Sequence, residues 1–137
     1  MKSGFRIEGF EDADRNLTRL SDMTDADQLK AIGINALQPV ADTAKALVRR
    51  RTGALANSIH AGDQLSRAQA ARHAPEPGTV EIYVGPGPLP QAITEEFGTV
   101  YEGAHPFLRP SWDGRLREVQ SRLRAALGDR LTRILRG

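Results

Sequence analysis

The segment that most constrains this chain is residues 95–112, where Gly98, Pro106 and Pro110 fix the backbone within a short distance of each other. Gly98 suits a left-handed position that closes a helix, because a residue without a β-carbon enters that region without a steric penalty. Pro106 biases the residue before it toward an extended conformation, and Pro110, which has a preset φ and no N–H, suits the first turn of a helix. The pattern predicts a helix end, an extended segment and a helix start.

Two large apolar side chains, Phe107 and Leu108, stand between the two prolines. On a stiffened segment they are poorly placed to remain in water, because a large apolar area would stay hydrated. We expect them to fill a groove, either in this chain or in a neighbouring subunit. Burial inside the same chain is the more common outcome for such side chains.

The length and composition indicate one domain over residues 1–137. The absence of cysteine excludes disulfide bonds, thiolate metal sites and cysteine nucleophiles. No apolar run approaches the roughly 20 residues that a membrane-spanning helix needs, and residues 1–10 lack the apolar stretch of a signal peptide. We therefore expect a soluble protein that is made in the cytoplasm and has no membrane partner.

Charge is distributed unevenly, although the formal net charge is only +2. Acidic residues dominate residues 8–27, whereas residues 109–136 carry eight arginines against three acidic residues. Such polarity suits head-to-tail packing of identical subunits. An equally acceptable interpretation is that opposite charges are scattered over one solvated surface.

Apolar periodicity predicts two long helices. One covers residues 25–50 and contains Pro39, so that a bend near residues 33–37, or a division into two pieces, is expected. The other is an amphipathic helix over about residues 112–134. Shorter elements are a strand at 5–9, a brief helix at 11–20, a turn and strand at 54–59, a loop or loose helical turn at 64–77, a strand at 79–84 and a helix ending at Phe97.

Strands and helices do not alternate in the manner that builds a doubly wound parallel sheet. The fold expected is α+β, with a small antiparallel sheet packed against a long kinked helix and a long C-terminal helix. Arg49, Arg50 and Arg51 are expected to close the first long helix, because cations are favourable at the negative end of a helix dipole. Phosphate binding by this triplet is the less favoured alternative.

Candidates for catalysis are His60, His73, His105 and the adjacent pair Glu95 and Glu96. Neighbouring carboxylates on a helix point about 100 degrees apart, and the histidines lack the spacing of metal ligands. No convergent site is predicted, and neither a metal nor a cofactor is expected. An enzyme that uses His60 or His105 with Glu95 or Glu96 is retained as a weak alternative.

Three sequence blocks occur in a specific order. They are Thr-Gly-x-Leu-x-x-Ser-Ile at 52–59, Glu-Phe-Gly-Thr at 96–99 and His-Pro-Phe-Leu-Arg-Pro at 105–110. In these blocks the chain resembles the neck and tail-completion family of long-tailed bacteriophages. It departs from that family's Pro-x-x-Thr-Gly start by having the arginine triplet before Thr52. The resemblance does not cover the first twenty residues or residues 64–77.

The resemblance implies a structural protein of the virion without enzyme activity, made in the host cytoplasm. It implies a homo-oligomeric ring, a hexamer, that lies in the neck or at the top of the tail and joins the DNA-filled head to the tail, with genomic DNA passing through its lumen. Its partners would be further copies of itself, a neighbouring neck ring and the tail tube or tail terminator proteins. The rival hypothesis is a small arginine-rich nucleic-acid-binding module that acts outside any particle.

The resemblance also implies which residues anchor the fold or the contact between subunits. Phe97, Phe107, Leu108 and Trp112 would be the anchors, and the Arg109 side chain would pair with Glu95 or Glu96. The full set is Glu96, Phe97, Gly98, Thr99, His105, Pro106, Phe107, Leu108, Arg109, Pro110 and Trp112, with Thr52, Gly53, Leu55, Ser58 and Ile59 from the earlier block.

Overall fold

The computed structural model describes Arg15 and residues 26–136. The helices are α1 (Ala26–Leu47), α2 (Ala54–Ser58), α3 (Arg67–Ala70), α4 (Pro90–Phe97) and α5 (Leu108–Arg136), and the strands are β1 (His60–Gly62) and β2 (Tyr83–Gly85). The α+β prediction is confirmed, because the small antiparallel sheet packs with two long helices. The strand predicted at 5–9 lies outside the described residues, as does all of the helix predicted at 11–20 except Arg15.

Helix α1 continues through Pro39 as one element and is not divided into two pieces. Because proline has no N–H, the carbonyl oxygen of Asn35, four residues earlier, loses its usual intrahelical donor. Arg122 Nη1 of α5 donates to that oxygen at 3.2 Å. The carbonyl oxygen that Pro39 leaves without an intrahelical donor is therefore satisfied by α5. Pro39 itself is buried.

Within the described part of the chain, the core has two clusters of buried apolar side chains along α1. One cluster lies toward the C-terminal half of α1 and contains Ala41, Ala44, Val48, Leu55, Ala56, Ile59, Ala92 and Phe107. The other contains Ala36, Leu37, Val40 and Val119. Val84 of β2 packs against both clusters, so the sheet joins them.

The two strands pair antiparallel, with His60 opposite Gly85 and Gly62 opposite Tyr83. The strand predicted at 54–59 is wrong, because residues 54–58 form α2 and the strand starts only at His60. Leu55 and Ile59 are four residues apart and both are buried, which is helical spacing. The strand predicted at 79–84 is shorter than expected and shifted to 83–85, because β1 offers only three residues for pairing.

Residues 64–77 contain the short helix α3, which is one of the two conformations expected for this segment. Ser66 caps it: the Ser66 hydroxyl accepts from the Gln69 backbone N–H at 3.4 Å, and the Ser66 backbone N–H donates to the Gln69 side chain at 3.2 Å. These reciprocal bonds form a capping box, which stabilises even a single helical turn.

Candidate functional site

Glu96 connects α4 to the start of α5. Its Oε2 accepts the backbone N–H groups of Phe107 and Leu108, both at 2.9 Å, and its Oε1 accepts the N–H of Arg109 at 3.0 Å. The first N–H groups of a helix have no partner within the helix. Three are satisfied by Glu96, and the next residue, Pro110, has none to satisfy. The sequence blocks at 96–99 and 105–110 are thus linked in the structure, because a carboxylate of α4 caps the start of the long helix α5.

The carboxylate of Glu96 is held in its charged form by this cap. Burial acts to raise its pKa, but the N–H donors of Leu108, Phe107 and Arg109, together with the positive charge of Arg109, act in the opposite direction and dominate. The pKa of Glu96 is therefore below its usual value. A negative charge at this position also faces the positive end of the α5 dipole.

Gly98 ends α4, as predicted, but in a different conformation from the left-handed helical one. Its φ is 78° and its ψ is −179°, a combination that is essentially restricted to glycine. Its N–H donates to the Thr94 carbonyl at 2.9 Å. A β-carbon at this position would lie 2.7 Å from the backbone nitrogen of Ala104 and 3.0 Å from the carbonyl oxygen of Glu102. Gly98 is needed both for its φ and for this close approach.

Residues 99–102 form an ordered turn, which we call the tip. The Thr99 N–H donates to the Glu102 carbonyl at 2.8 Å, and the Thr99 hydroxyl accepts the N–H groups of Tyr101 at 3.2 Å and Glu102 at 3.0 Å. The two remaining residues expose almost their whole surface: Val100 is 96% exposed and Tyr101 98% exposed. The tip therefore holds two apolar side chains in solvent on a hydrogen-bonded backbone.

Arg49 fastens the tip to α4. Its Nη2 and Nε donate to the two carboxylate oxygens of Glu95 at 2.6 and 2.9 Å, and its Nη1 donates to Glu102 Oε1 at 2.8 Å. Hydrogen bonding from Arg49 holds the pKa of Glu95 below its usual value, and Glu95 and Glu102 together raise the pKa of Arg49. The helix-closing role expected for the arginine triplet is not observed, because α1 ends at Leu47 and Arg49 lies beyond it, bound to these carboxylates.

Arg109 contacts Glu96, one of the two carboxylates expected for it, but the hydrogen bond comes from its backbone N–H. Glu95 is engaged by Arg49. The signal for the Arg49 contact is absent from the local pattern, because Arg49 lies 46 residues before Glu95 in the chain. Glu95 also accepts the backbone N–H of His105 through its carbonyl oxygen, at 2.7 Å.

Phe107 fills the core of its own chain, which answers the question raised by the sequence. It is 1% exposed, in the same cluster as Leu55 and Ile59, and Leu108 packs against that cluster. The carbonyl oxygen of Phe107 also accepts the hydroxyl of buried Ser111. The blocks at 52–59 and 105–110 thus meet in one core cluster.

The block at 52–59 forms the other side of this contact. Gly53 has a φ of 80° and precedes α2, and the Thr52 hydroxyl accepts the Ala54 N–H at 3.3 Å. The Ser58 hydroxyl donates to the Leu55 carbonyl at 2.7 Å. A β-carbon on Gly87 would lie 3.2 Å from the β-carbon of Ser58, so the turn after β2 packs closely on α2.

Phe97 and Trp112, which were expected to be anchors, lie at the surface. Phe97 is 77% exposed and Trp112 40% exposed. Both line an open apolar groove of about 1200 Å³, whose walls also include Leu65, Ile82, Val84 and Ile93. We call this feature the groove. Ile93 is 68% exposed, so the groove and the tip together leave a large apolar area in contact with water.

A polar cluster borders the groove at Tyr83. Glu81 accepts from the Tyr83 hydroxyl and lies 2.5 Å from Nε2 of His73. The Tyr83 hydroxyl, followed by His73, lowers the pKa of Glu81, and Glu81 in turn raises the pKa of Tyr83. These contacts hold the loop after α3 against β2.

The catalytic candidates have other partners. His60 Nδ1 lies 2.8 Å from the Ser58 carbonyl oxygen, and both carboxylate oxygens of Glu96 accept backbone N–H groups. Within residues 26–136 and Arg15, no three His, Asp or Glu side chains are grouped so that they could hold a metal ion. None of the described helices is both long and apolar enough to cross a membrane.

Several arginines of α5 have structural partners. Arg115 and Arg122 share the carboxylate of Glu118 at 3.2 and 3.3 Å, and Arg122 also satisfies the Asn35 carbonyl. Arg130 contacts Gln28 of α1. The positive charge of α5 is thus partly committed to holding α5 against α1.

Comparison of the chain with family models, curated proteins and solved structures found no match. A function for the chain must therefore be argued from its residues and their geometry. In this geometry, Glu96 caps α5 and Arg49 binds Glu102 of the tip. An apolar groove lies open next to Phe97.

Proposed function

We propose that this chain is a structural subunit of a ring in the neck of a long-tailed bacteriophage. The ring, a hexamer, joins the DNA-filled head to the tail or completes the top of the tail, and DNA passes through its lumen. The observation that carries the proposal is that the three resembling blocks form one continuous unit. Glu96 caps the helix that starts at Leu108, and Phe107 between them packs on Leu55 and Ile59.

The environment of the acidic residues supports an architectural role. Glu95 and Glu102 are bound by Arg49, and Glu96 by three backbone N–H groups. A general acid or base needs a lone pair or proton that can reach a substrate. These carboxylates are instead committed to hydrogen bonds that set the conformation of the chain.

The surface supports association with other subunits. Val100, Tyr101, Phe97 and Ile93 are large apolar residues with more than half of their surface exposed. Such concentrations of exposed apolar surface are typical of sites of protein association. In a ring they would be covered by neighbouring subunits.

The arginines of α5 favour a ring through which DNA passes over a dedicated nucleic-acid-binding module. Affinity for DNA is dominated by unpaired positive charges that neutralise phosphates. In α5, Arg115 and Arg122 share the carboxylate of Glu118, which offsets part of their positive charge. We therefore expect the purified protein to bind duplex DNA weakly and to lose binding as salt rises, whereas a dedicated module would give tight binding at physiological salt.

The test is to disrupt the gene in the phage that encodes this chain and to image the particles by electron microscopy. The proposal predicts DNA-filled heads and tails that accumulate unjoined, or tails of uncontrolled length. Supplying the wild-type chain from a plasmid should restore joined particles. The matched control is a plasmid that encodes the F107A variant, which should restore joining poorly because loss of the buried ring destabilises the domain.

Localisation in the complete particle gives an independent readout. Antibody labelling of virions should place the chain at the head–tail junction. Joined, infectious particles in the absence of the chain, or its absence from purified virions, would contradict the proposed function.

A further inference from the structure

Among the residues that the structure describes, none covers the tip or closes the groove. We propose that the tip of one subunit docks into the groove of a second copy of this chain. This inference rests on the proposed function, because it names the surfaces through which neighbouring subunits of the ring would meet. It goes further than that function in assigning opposite roles to two parts of one chain, with Val100 and Tyr101 as the inserted residues.

The tip has a defined conformation before any docking. Its backbone is already fixed by hydrogen bonds to Thr99, and its Glu102 is held by Arg49. Binding by an ordered segment loses less conformational entropy than binding by a flexible one. Val100 and Tyr101 are 96% and 98% exposed, so docking would remove nearly their whole side-chain surface from water.

The groove and the tip are separate surfaces. Within the described residues, the groove is lined by positions that include Leu65, Ile82 and Trp112, but not by Val100 or Tyr101. A contact between two different surfaces of identical chains is head-to-tail. It repeats from one subunit to the next, and it produces a ring when the rotation between subunits closes.

Charge favours tip-to-groove contact over tip-to-tip contact. Arg49 joins Glu102 of the tip to Glu95 of α4, so two carboxylates there stand against a single guanidinium. The charged side chains that line the groove are Arg67 and Arg109 against Glu96. A net negative tip therefore meets a net positive groove, whereas two tips facing each other would repel.

The size of the contact suits a closed assembly. A tyrosine buries about 150–250 Å² when it is covered, whereas a stable two-protein interface needs about 800 Å² per partner. A single insertion is therefore weak. In a ring each subunit makes two such contacts, one through its tip and one through its groove, and the closed arrangement gains stability from their combination.

Disulfide trapping tests the contact directly, because the natural chain contains no cysteine. Full-length Y101C is mixed with full-length I93C under mild oxidation, and the yield of disulfide-linked heterodimer is followed with time. The matched control replaces I93C by L127C, since Leu127 is 43% exposed on α5 and does not line the groove. All three positions are exposed, so the substitutions leave the core intact.

Groups held in a contact meet at a raised effective concentration, so trapping at about 0.1 mM protein should be roughly severalfold faster with I93C than with L127C. A chain that carries both substitutions should give a ladder of covalent multimers. Equal rates with I93C and L127C would overturn the inference. Protection of the I93C thiol from a small reagent in the dilute monomer would also overturn it, because the chain itself would then cover the groove.

These outcomes are separate from the fate of the proposed function. Equal trapping rates with a chain that is still found at the head–tail junction would leave the ring in place and require a different interface. Absence of the chain from virions would remove the proposed function, whatever the trapping rates.

Discussion

At the scale of single residues, Glu96 and Phe107 act on the same short stretch of backbone from two sides. The carboxylate of Glu96 satisfies the N–H groups at the start of α5, and the Phe107 ring fills the space between α1, α2 and α4. The two interactions have different effects on the start of α5. The Glu96 carboxylate supplies hydrogen-bond partners to its N–H groups, and the buried Phe107 ring anchors it in the core.

Replacing Phe107 by alanine should lower the free energy of unfolding by about 3 to 5 kcal/mol, because the side chain is removed from a closed core. Urea or guanidinium unfolding of the purified protein measures this loss. The control is F97A, which changes the same residue type at a 77% exposed position and should alter stability by less than about 0.5 kcal/mol. Similar effects for the two variants would show that Phe107 does not anchor the domain.

Replacing Glu96 by glutamine should destabilise the protein by about 1 to 3 kcal/mol at pH 7, because charge-assisted acceptors at three backbone N–H groups are lost. The pKa of Glu96 is lowered in the folded state, so its contribution is present above the unfolded-state pKa of about 4.3 and is lost as the pH falls through the folded-state pKa. The measurement is denaturant unfolding of wild type and variant at pH 7 and at low pH.

The difference between wild type and E96Q should shrink as the pH falls. Taking a difference cancels the separate contribution of Glu95, whose pKa is also lowered. The exposed residue Glu76 provides the control, since E76Q should match wild type within about 0.5 kcal/mol. A gap between E96Q and wild type that is unchanged at low pH would contradict the capping role.

At the scale of elements, α1 is the support for everything else, because both core clusters and both strands lie against it. Its Gly33 allows close packing: a β-carbon there would lie 2.5 Å from Cγ1 of Ile82, the residue before β2. Helix α5 packs along α1 and is tied to it through Arg122 and Arg115, which reach Asn35 and Thr43.

Two glycine-to-alanine substitutions should have opposite effects. G33A should destabilise the protein by about 1 to 2 kcal/mol, because the clash with Ile82 exceeds the gain in helix propensity. G128A, in a part of α5 where a β-carbon meets nothing within 4 Å, should stabilise it by about 0.5 to 1 kcal/mol. Thermal unfolding of both variants provides the measurement, and stabilisation by G33A would contradict the packing of Ile82 on α1.

Local sequence patterns predicted the helices whose ends and buried faces depend on residues close together in the chain. The end of α4 at Gly98, the buried stripe of α1 and the amphipathic α5 follow from spacing and from the preferences of glycine and proline. Helix α5 starts at Leu108, before the residue predicted, because Glu96 of another helix supplies its cap. Sequence spacing does not reveal a cap from a residue that lies 11, 12 and 13 positions before the three N–H groups it accepts.

The same limit explains the other differences. Residues 79–82 alternate like a strand, but pairing depends on how much partner strand exists, and β1 has three residues. Arg49 was placed at a helix end because cations are common there, whereas its carboxylate partners are 46 and 53 residues away. The contacts among residues 95–112, and their contacts with Arg49, therefore required the folded structure.

At the scale of the whole molecule, the described residues combine a buried apolar core with large exposed apolar side chains at residues 97–101. Phe107 is buried, while Phe97, Val100 and Tyr101, from the same segment, are exposed. A single chain that keeps such a surface in water would tend to associate. The proposed ring explains why the same segment contains both a core anchor and an uncovered tip.

The most direct test of the ring is the mass of the assembly released intact from purified virions, measured by native mass spectrometry. The account predicts a closed homo-oligomer of six times the 15.0 kDa subunit mass. The Y101S variant should incorporate poorly, and L127S, the matched surface control, should incorporate normally. Recovery of the chain from virions only as a 15.0 kDa monomer would contradict the proposal that it forms a ring.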